Sequence, residues 1–164
     1  MNPSTKTGDR GITGNLSGER ISKNEPRIHL EGALDELNSH LGLVKTRLAD
    51  ENDRKFVEAT QLNLMKLMTC VSGNDNEKYV FTKAETDGLE DEIMRLGKFL
   101  PKRFSLVVPG KSETEALIHI ARTVARRAER HFVAVNEEKP LNSNAGTYLN
   151  RLSDYLFMLS CKNL

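Results

Sequence analysis

Apolar residues recur at spacings of three and four along most of this chain, and that period commits it to helices. Leu34, Leu37, Leu41, Val44 and Leu48 form the first such stripe, after Gly32. Glu31, Asp35, Asn38 and Gly42 fall on a different, small and polar face of the same helix. A second helix is predicted over roughly 52–72, where Phe56, Leu62, Leu64, Met65, Leu67, Met68 and Val71 cover much of the circumference. Such a helix is expected to be central. "GNDN" at 73–76 breaks it. A third begins at a capping box, Thr82 with Glu85, carries Leu89, Ile93, Leu96 and Leu100, and closes at Pro101. "FSLVVPGK" at 104–111 reads as a short extended stretch ending in a Pro-Gly turn, too isolated for a sheet. "SETE" at Ser112 is a second capping box, and its helix runs to about Val135. The fifth covers roughly 144–162, with Leu149, Leu152, Leu156 and Leu159 inside.

Residues 1–29 hold no apolar run and read as a glycine-rich loop, with glycines at 8, 11, 14 and 18. The fold class expected is all-α, an up-and-down five-helix bundle over 30–164 within one domain spanning 1–164. A chain of 164 residues is long enough for one such core. A net charge of +1 argues against nucleic-acid binding driven by bulk charge. No apolar run approaches the roughly 20 residues of a membrane span, and the polar start lacks a signal-type segment, so a cytoplasmic protein is expected. Cys70 and Cys161 lie far apart in apolar helical stretches, which favours reduced thiols over a disulfide or zinc site.

Two segments carry chemistry. In "ALIHIARTVARRAERHFVAV", Arg122, Arg126, Glu129, Arg130 and His119 fall within about 100° of arc. Leu117, Ile120, Ala121, Val124, Ala128, Phe132 and Val135 take the opposite, core-facing side. A solvated face with an internal Arg126–Glu129–Arg130 cluster is one reading. The other is an anion site: lysine is absent from this helix, and like charges four apart repel, so three arginines in a row want a phosphate or carboxylate. Asn150 and Asp154, one turn apart on the fifth helix, form a polar pair away from its leucine stripe. The opening stretch "TGDRGITGNLSGERISK" is neither a P-loop nor a dinucleotide fingerprint. It is either a loose polar tail or a backbone nest for an anion, with Lys6, Thr7, Thr13 and Lys23 adding charge and hydroxyls.

Three blocks together resemble the PduO-type ATP:cob(I)alamin adenosyltransferases. They are "TKTGDRGIT" and "SGERISK" with "GALDELNSHLGL"; "VPG" with "ALIHIARTVARRAER"; and "YLNRLSDYLF". They follow the family's order and spacing and span nearly the whole chain. The resemblance implies a homotrimer with active sites between adjacent subunits. It implies transfer of the 5′-deoxyadenosyl group of ATP to the cobalt of cob(I)alamin, giving adenosylcobalamin and triphosphate, with Mg²⁺. It places ATP against Thr5, Lys6, Thr7, Gly8, Thr13, Gly14 and Lys23 of the N-terminal loop, against Arg126, Glu129 and Arg130, and against Asn150. Glu129 is the candidate metal ligand. Asp35 and Arg122 match an intersubunit ion pair that supports cobalamin binding and, with Arg126, catalysis. Handoff to an adenosylcobalamin-dependent enzyme is a further partner of such a protein; neither nucleic acid nor membrane is expected.

The chain departs from the family in three places. Leu106 stands where a phenylalanine commonly excludes the lower cobalt ligand, and Phe104, two residues upstream with the same side-chain parity, is the other candidate for that apolar wall. An arginine common after "YLF" is replaced around Cys161, and Ser4 takes the place of an aromatic before "TKTGD". The Leu106 departure motivates an alternative, an ATP- and cobalamin-binding carrier or sensor with weak turnover. A helical interaction module with an acidic partner protein is a third reading.

Overall fold

The computed structural model describes residues 6–73, 79–100 and 107–164. Thr5, Phe104 and Leu106 lie outside the described residues. Two short strands, β1 (Ile12–Gly14) and β2 (Arg20–Ser22), precede five helices: α1 (Pro26–Arg47), α2 (Glu51–Val71), α3 (Lys83–Leu96), α4 (Glu113–Glu138) and α5 (Ser143–Lys162).

The helices form a ring. α1 lies between α2 and α4, α4 between α1 and α5, and α3 packs on α5. Side chains draw α3 back to α2: Lys66 pairs with Glu85, and Arg95 Nη2 lies 2.7 Å from Asp53 Oδ1. Leu30, Leu34, Leu37 and Leu41 of α1 are fully buried inside the ring. Each contributes about 1.5–3 kcal/mol through burial.

The first helix starts earlier than its leucine stripe suggests. Pro26 opens it, and a proline suits a first turn because that amide has no intrahelical acceptor. The stretch read as loop also holds an antiparallel hairpin, with Ile12 opposite Ser22, Thr13 opposite Ile21 and Gly14 opposite Arg20. Ile21 is its buried anchor. The loop between the strands is tied to the end of α2, where Leu16 N donates to Ser72 O at 3.0 Å.

Several apolar positions differ from expectation. α2 turns Leu62 and Met65 outward, at 61 % and 53 % exposed, so it is peripheral on that side. α3 stops at Leu96, a single 3₁₀ turn follows over Gly97–Phe99, and Leu100 is half exposed. On α4, Ile120 faces out and Leu117 is half-buried, while Ile118 and Ala125 are in the core. Cys70 and Cys161 form no disulfide. No helix of the described residues is long and apolar enough to cross a membrane.

Charge ties the helix ends together. Asp53, 1 % exposed, binds Arg95 and also Lys162 Nζ at 2.7 Å, and Lys162 reaches Asp50 at 2.8 Å. Removing the central carboxylate takes one partner from each of two cations, leaving Arg95 with Glu92 and Lys162 with Asp50, and breaks the tie between α2, α3 and α5. Asp53→Ala should lower unfolding stability by about 2–4 kcal/mol, measured by urea unfolding.

The Thr82–Glu85 capping box forms as the sequence predicts. Burial alone would raise the Glu85 carboxyl, but hydrogen bonds from Lys66 and Thr82 hold it at about 2. A folded-state value below the ordinary 4.5 adds stability above pH 4.5 that is lost as the pH falls toward 2. Glu85→Gln should therefore narrow the stability difference between neutral and strongly acidic solution by about 1–3 kcal/mol. Urea titrations at the two pH values check this, and an unchanged difference contradicts it.

Candidate functional site

Two polar regions face different sides of the ring. The first is the groove between α1 and α2, closed above by the hairpin. It encloses about 660 Å³ and is lined by Thr13, Lys23, Glu31, Asp35, Met68 and Ser72 among others. Thr13 is held by the strand register opposite Ile21. Lys23 is placed by its own amide, which donates to Gly11 O at 2.9 Å. Its ammonium runs beneath Gly8, where a Cβ would lie 3.1 Å from Nζ. Asp35 is exposed on the α1 wall, one turn beyond Glu31. Burial raises the Glu31 carboxyl, against partial relief from Ser72 and Arg27.

On the outer side of the hairpin, Lys6 and Thr7 line a hollow with Asp9, Arg10, Ile12 and Arg20. Arg20 Nη2 donates to Thr7 O at 2.6 Å, which fixes the turn leading into β1. Gly14 ends β1 opposite Arg20.

The second region is the α4/α5 groove. Asn150 Nδ2 donates to Glu129 Oε1 at 2.8 Å, and Asn150 Oδ1 accepts from Arg151 Nη1 at 2.8 Å. Arg151 continues to Glu90 at 3.0 Å and to Asp154 at 3.7 Å. Asp154 therefore belongs to Arg151, whereas Asn150 joins the α4 face. Arg126 is exposed and has no carboxylate partner among the described residues. Arg130 Nη1 donates to the Arg126 carbonyl at 3.1 Å, which directs it along the same face. Arg127, on the α1 side of α4, is instead neutralised by Glu36.

His119 does not share that exposed face. It is 4 % exposed and lies 3.1 Å from Glu115, and Arg122 Nε donates to its Nδ1 at 3.1 Å. The first half of α4 is covered on the His119 side by the turn before it and by α5, so wheel angle alone misplaces this residue. The second capping box forms by half: Ser112 Oγ accepts from Glu115 N at 3.0 Å, but the Glu115 carboxylate turns to the amides of Gly110 and Lys111. Glu31, Ser72 and Glu115 had no individual sequence signal as site residues. Only the i+4 relation of Glu31 to Asp35 hinted at one of them.

Among the described residues no three His, Cys, Asp or Glu side chains gather as a metal cage. A lone carboxylate, Glu129, between two arginines suits a hard cation held chiefly by phosphate oxygens and water.

A closed ring of five helices capped by an N-terminal hairpin, with an arginine-rich groove, defines the class of domain. The chain belongs to the cobalamin adenosyltransferase family, whose profile matches residues 3–163. The corrinoid adenosyltransferase PduO of Salmonella typhimurium is 37 % identical over 161 residues, covering 95 % of this chain and 48 % of that protein. A cobalamin adenosyltransferase of Cupriavidus metallidurans is 39 % identical over 158 residues, covering 95 % and 84 %. The chain thus spans about half the length of the PduO proteins it resembles. Among solved structures, a variant PduO-type ATP:corrinoid adenosyltransferase from Lactobacillus reuteri, complexed with cobalamin and ATP, superposes with a TM-score of 0.89 at 29 % identity. That match covers 97 % of this chain and 91 % of that one.

Proposed function

We propose that this chain transfers the 5′-deoxyadenosyl group of ATP to the cobalt of cob(I)alamin. The observation that carries the reading is the Asn150–Glu129 hydrogen bond beside Arg126 and Arg130, in a chain of this family. It supports a triphosphate seat: two guanidiniums present planar, permanently charged forks, and the Asn150 contact holds Glu129 between them.

The reaction asks little covalent chemistry of the protein. The cobalt(I) lone pair attacks C5′ of ATP, a cobalt–carbon bond forms, and the C5′–O bond breaks. Its electron pair leaves on triphosphate, and cobalt is formally oxidised to the +3 state. Holding C5′ in line with cobalt is the positioning task. Stabilising charge on the leaving triphosphate falls to Arg126, Arg130 and Lys23. A Mg²⁺ ion bound with the phosphates, with Glu129 as its protein ligand, would neutralise part of the same charge.

The two grooves of one chain look in different directions, separated by the α1/α4 face that carries the Glu36–Arg127 pair. A site using both therefore needs a second copy. This supports a homotrimer in which Lys6, Thr7, Gly8, Thr13, Gly14 and Lys23 of one subunit meet the α4/α5 groove of the next. Asp35 of one subunit would then face Arg122 of its neighbour. Release of product to an adenosylcobalamin-dependent enzyme is the compatible next step.

The test is an adenosylation assay with ATP, Mg²⁺ and chemically reduced cobalamin, read as a light-sensitive cobalt–carbon product. Arg126→Ala should lower kcat by about 10²–10³-fold with an unchanged melting temperature. Near-normal turnover in the variant would remove Arg126 from the phosphate role. Tight binding of both substrates by the wild type without product would instead mark a carrier.

A further inference from the structure

We propose that Glu115 and His119 are positioning residues that fix the Arg122 guanidinium and lock it to the turn preceding α4; this rests on the role proposed above for Arg122. Glu115 is fully buried and His119 nearly so. An acid and an imidazole in such a place are unfavourable unless their polar atoms are used. Glu115 Oε2 accepts from Gly110 N at 2.8 Å and from Lys111 N at 3.2 Å. Its Oε1 lies 3.1 Å from His119 Nε2, an electrostatic contact rather than an aligned hydrogen bond, and both atoms are buried with no hydrogen-bond partner among the described residues, so each is the only polar atom the other can turn to.

The remaining ring nitrogen decides the argument. Nδ1 accepts from Arg122 Nε at 3.1 Å. An arginine Nε–H only donates, so Nδ1 carries its lone pair and the neutral ring bears its proton on Nε2, beside Glu115. Burial holds His119 below the usual imidazole range, and Arg122 acts in the same sense, while Glu115 opposes both. Arg122 is thereby gripped at Nε, and the four N–H groups of its two Nη atoms stay available for an external partner. Gly110 adopts φ +111°, a conformation side chains rarely take, and this turn aims two successive amides at Glu115. The ring is further fixed from α5, where Phe157 meets it edge-on at 6.4 Å.

A purely structural pair would account for the turn amides and for burial. It would not account for an imidazole nitrogen committed to an arginine at the rim of the α4 face. The relay runs from the Gly110–Lys111 turn through Glu115 and His119 to Arg122. Its consequence is specific: it orders the arginine proposed to face Asp35 of the neighbouring subunit, the pair that the family resemblance links to cobalamin binding, and leaves Arg126 and the ATP groove untouched.

The test compares His119→Asn with His119→Gln in the full chain. Asparagine places its side-chain oxygen near the Nδ1 position, where it can accept from Arg122. Glutamine reaches toward Glu115 and loses the Arg122 contact. Expected is a fall in kcat/KM for cob(I)alamin of about 10–100-fold in His119→Gln, with KM for ATP within about twofold and substantial recovery in His119→Asn. Equal activity of the two folded variants, or an equal loss toward ATP, overturns the proposal. An activity-independent readout is the ¹⁵N-edited Arg122 Nε–H signal, expected to exchange slowly in wild type and His119→Asn and rapidly in His119→Gln. Rapid exchange in the wild type overturns the contact even if neither variant folds. A protected Nε–H in a wild type with no adenosylation sinks the adenosyl-transfer reading, and with it the positioning role, while retaining the contact.

Discussion

Everything on α4 depends on how closely that helix approaches its neighbours. Ala121, Ala125 and Ala128 are fully buried on it, small enough to let backbones come near. On the α5 side the approach is tighter still: a Cβ at Gly146 would lie 2.8 Å from Phe132 Cε1. That fit sets the separation of α4 and α5. The Asn150–Glu129 bond, at 2.8 Å, exists only at that separation. A closely packed interior cannot widen by a methyl group without shifting the elements around it. The polar groove is therefore a product of the core contact behind it.

The same constraint explains what could be read from sequence. Helices were legible because each buries a stripe, and a stripe leaves a period. Start signals at Thr82 and Ser112 are local, and side-chain oxygens cap both helices in the structure, as Asn142 does for α5 without having been read as a signal. Ile120, Leu62 and Met65 misled because an apolar side chain reports what could be buried, not what is. His119 misled for a different reason. A helical wheel assumes one solvent side along the whole helix, whereas the first turns of α4 are enclosed by the Gly110 turn, by Phe157 and by Asn163, whose carbonyl accepts from Ser112. The hairpin was missed because three-residue strands rich in glycine leave almost no alternation to detect.

The candidate site was legible in part. The arginine row and Asn150 were visible as residue types at helical spacing, but their meeting across two helices is tertiary. The groove of Lys23, Glu31, Asp35 and Ser72 assembles residues from three segments, and no local pattern joins them. The Glu115–His119–Arg122 run sits on one helix, yet its burial is decided by other elements.

Charge sorts the α4 arginines into separate tasks. Arg127 is paired with Glu36 across α1 and is a structural tie. Arg122 leans on a neutral ring, Arg130 on a backbone carbonyl, and Arg126 has no carboxylate among the described residues. Three cations one turn apart raise the energy of the empty face by mutual repulsion. Glu129 offsets this only partly, since Asn150 draws on one of its oxygens. Burying such a row in a core would be ruinous, and leaving it on an ordinary surface would be mildly unfavourable. A polyanion arriving from outside relieves it, and repulsion that existed before binding then adds to affinity for a highly charged ligand. An acidic protein segment would relieve it too, but less completely, because carboxylates on a chain are more widely spaced than the oxygens of a triphosphate. For the reaction proposed here, whose nucleophile arrives with its substrate and whose charge departs with the leaving group, this is the asset a protein has to supply.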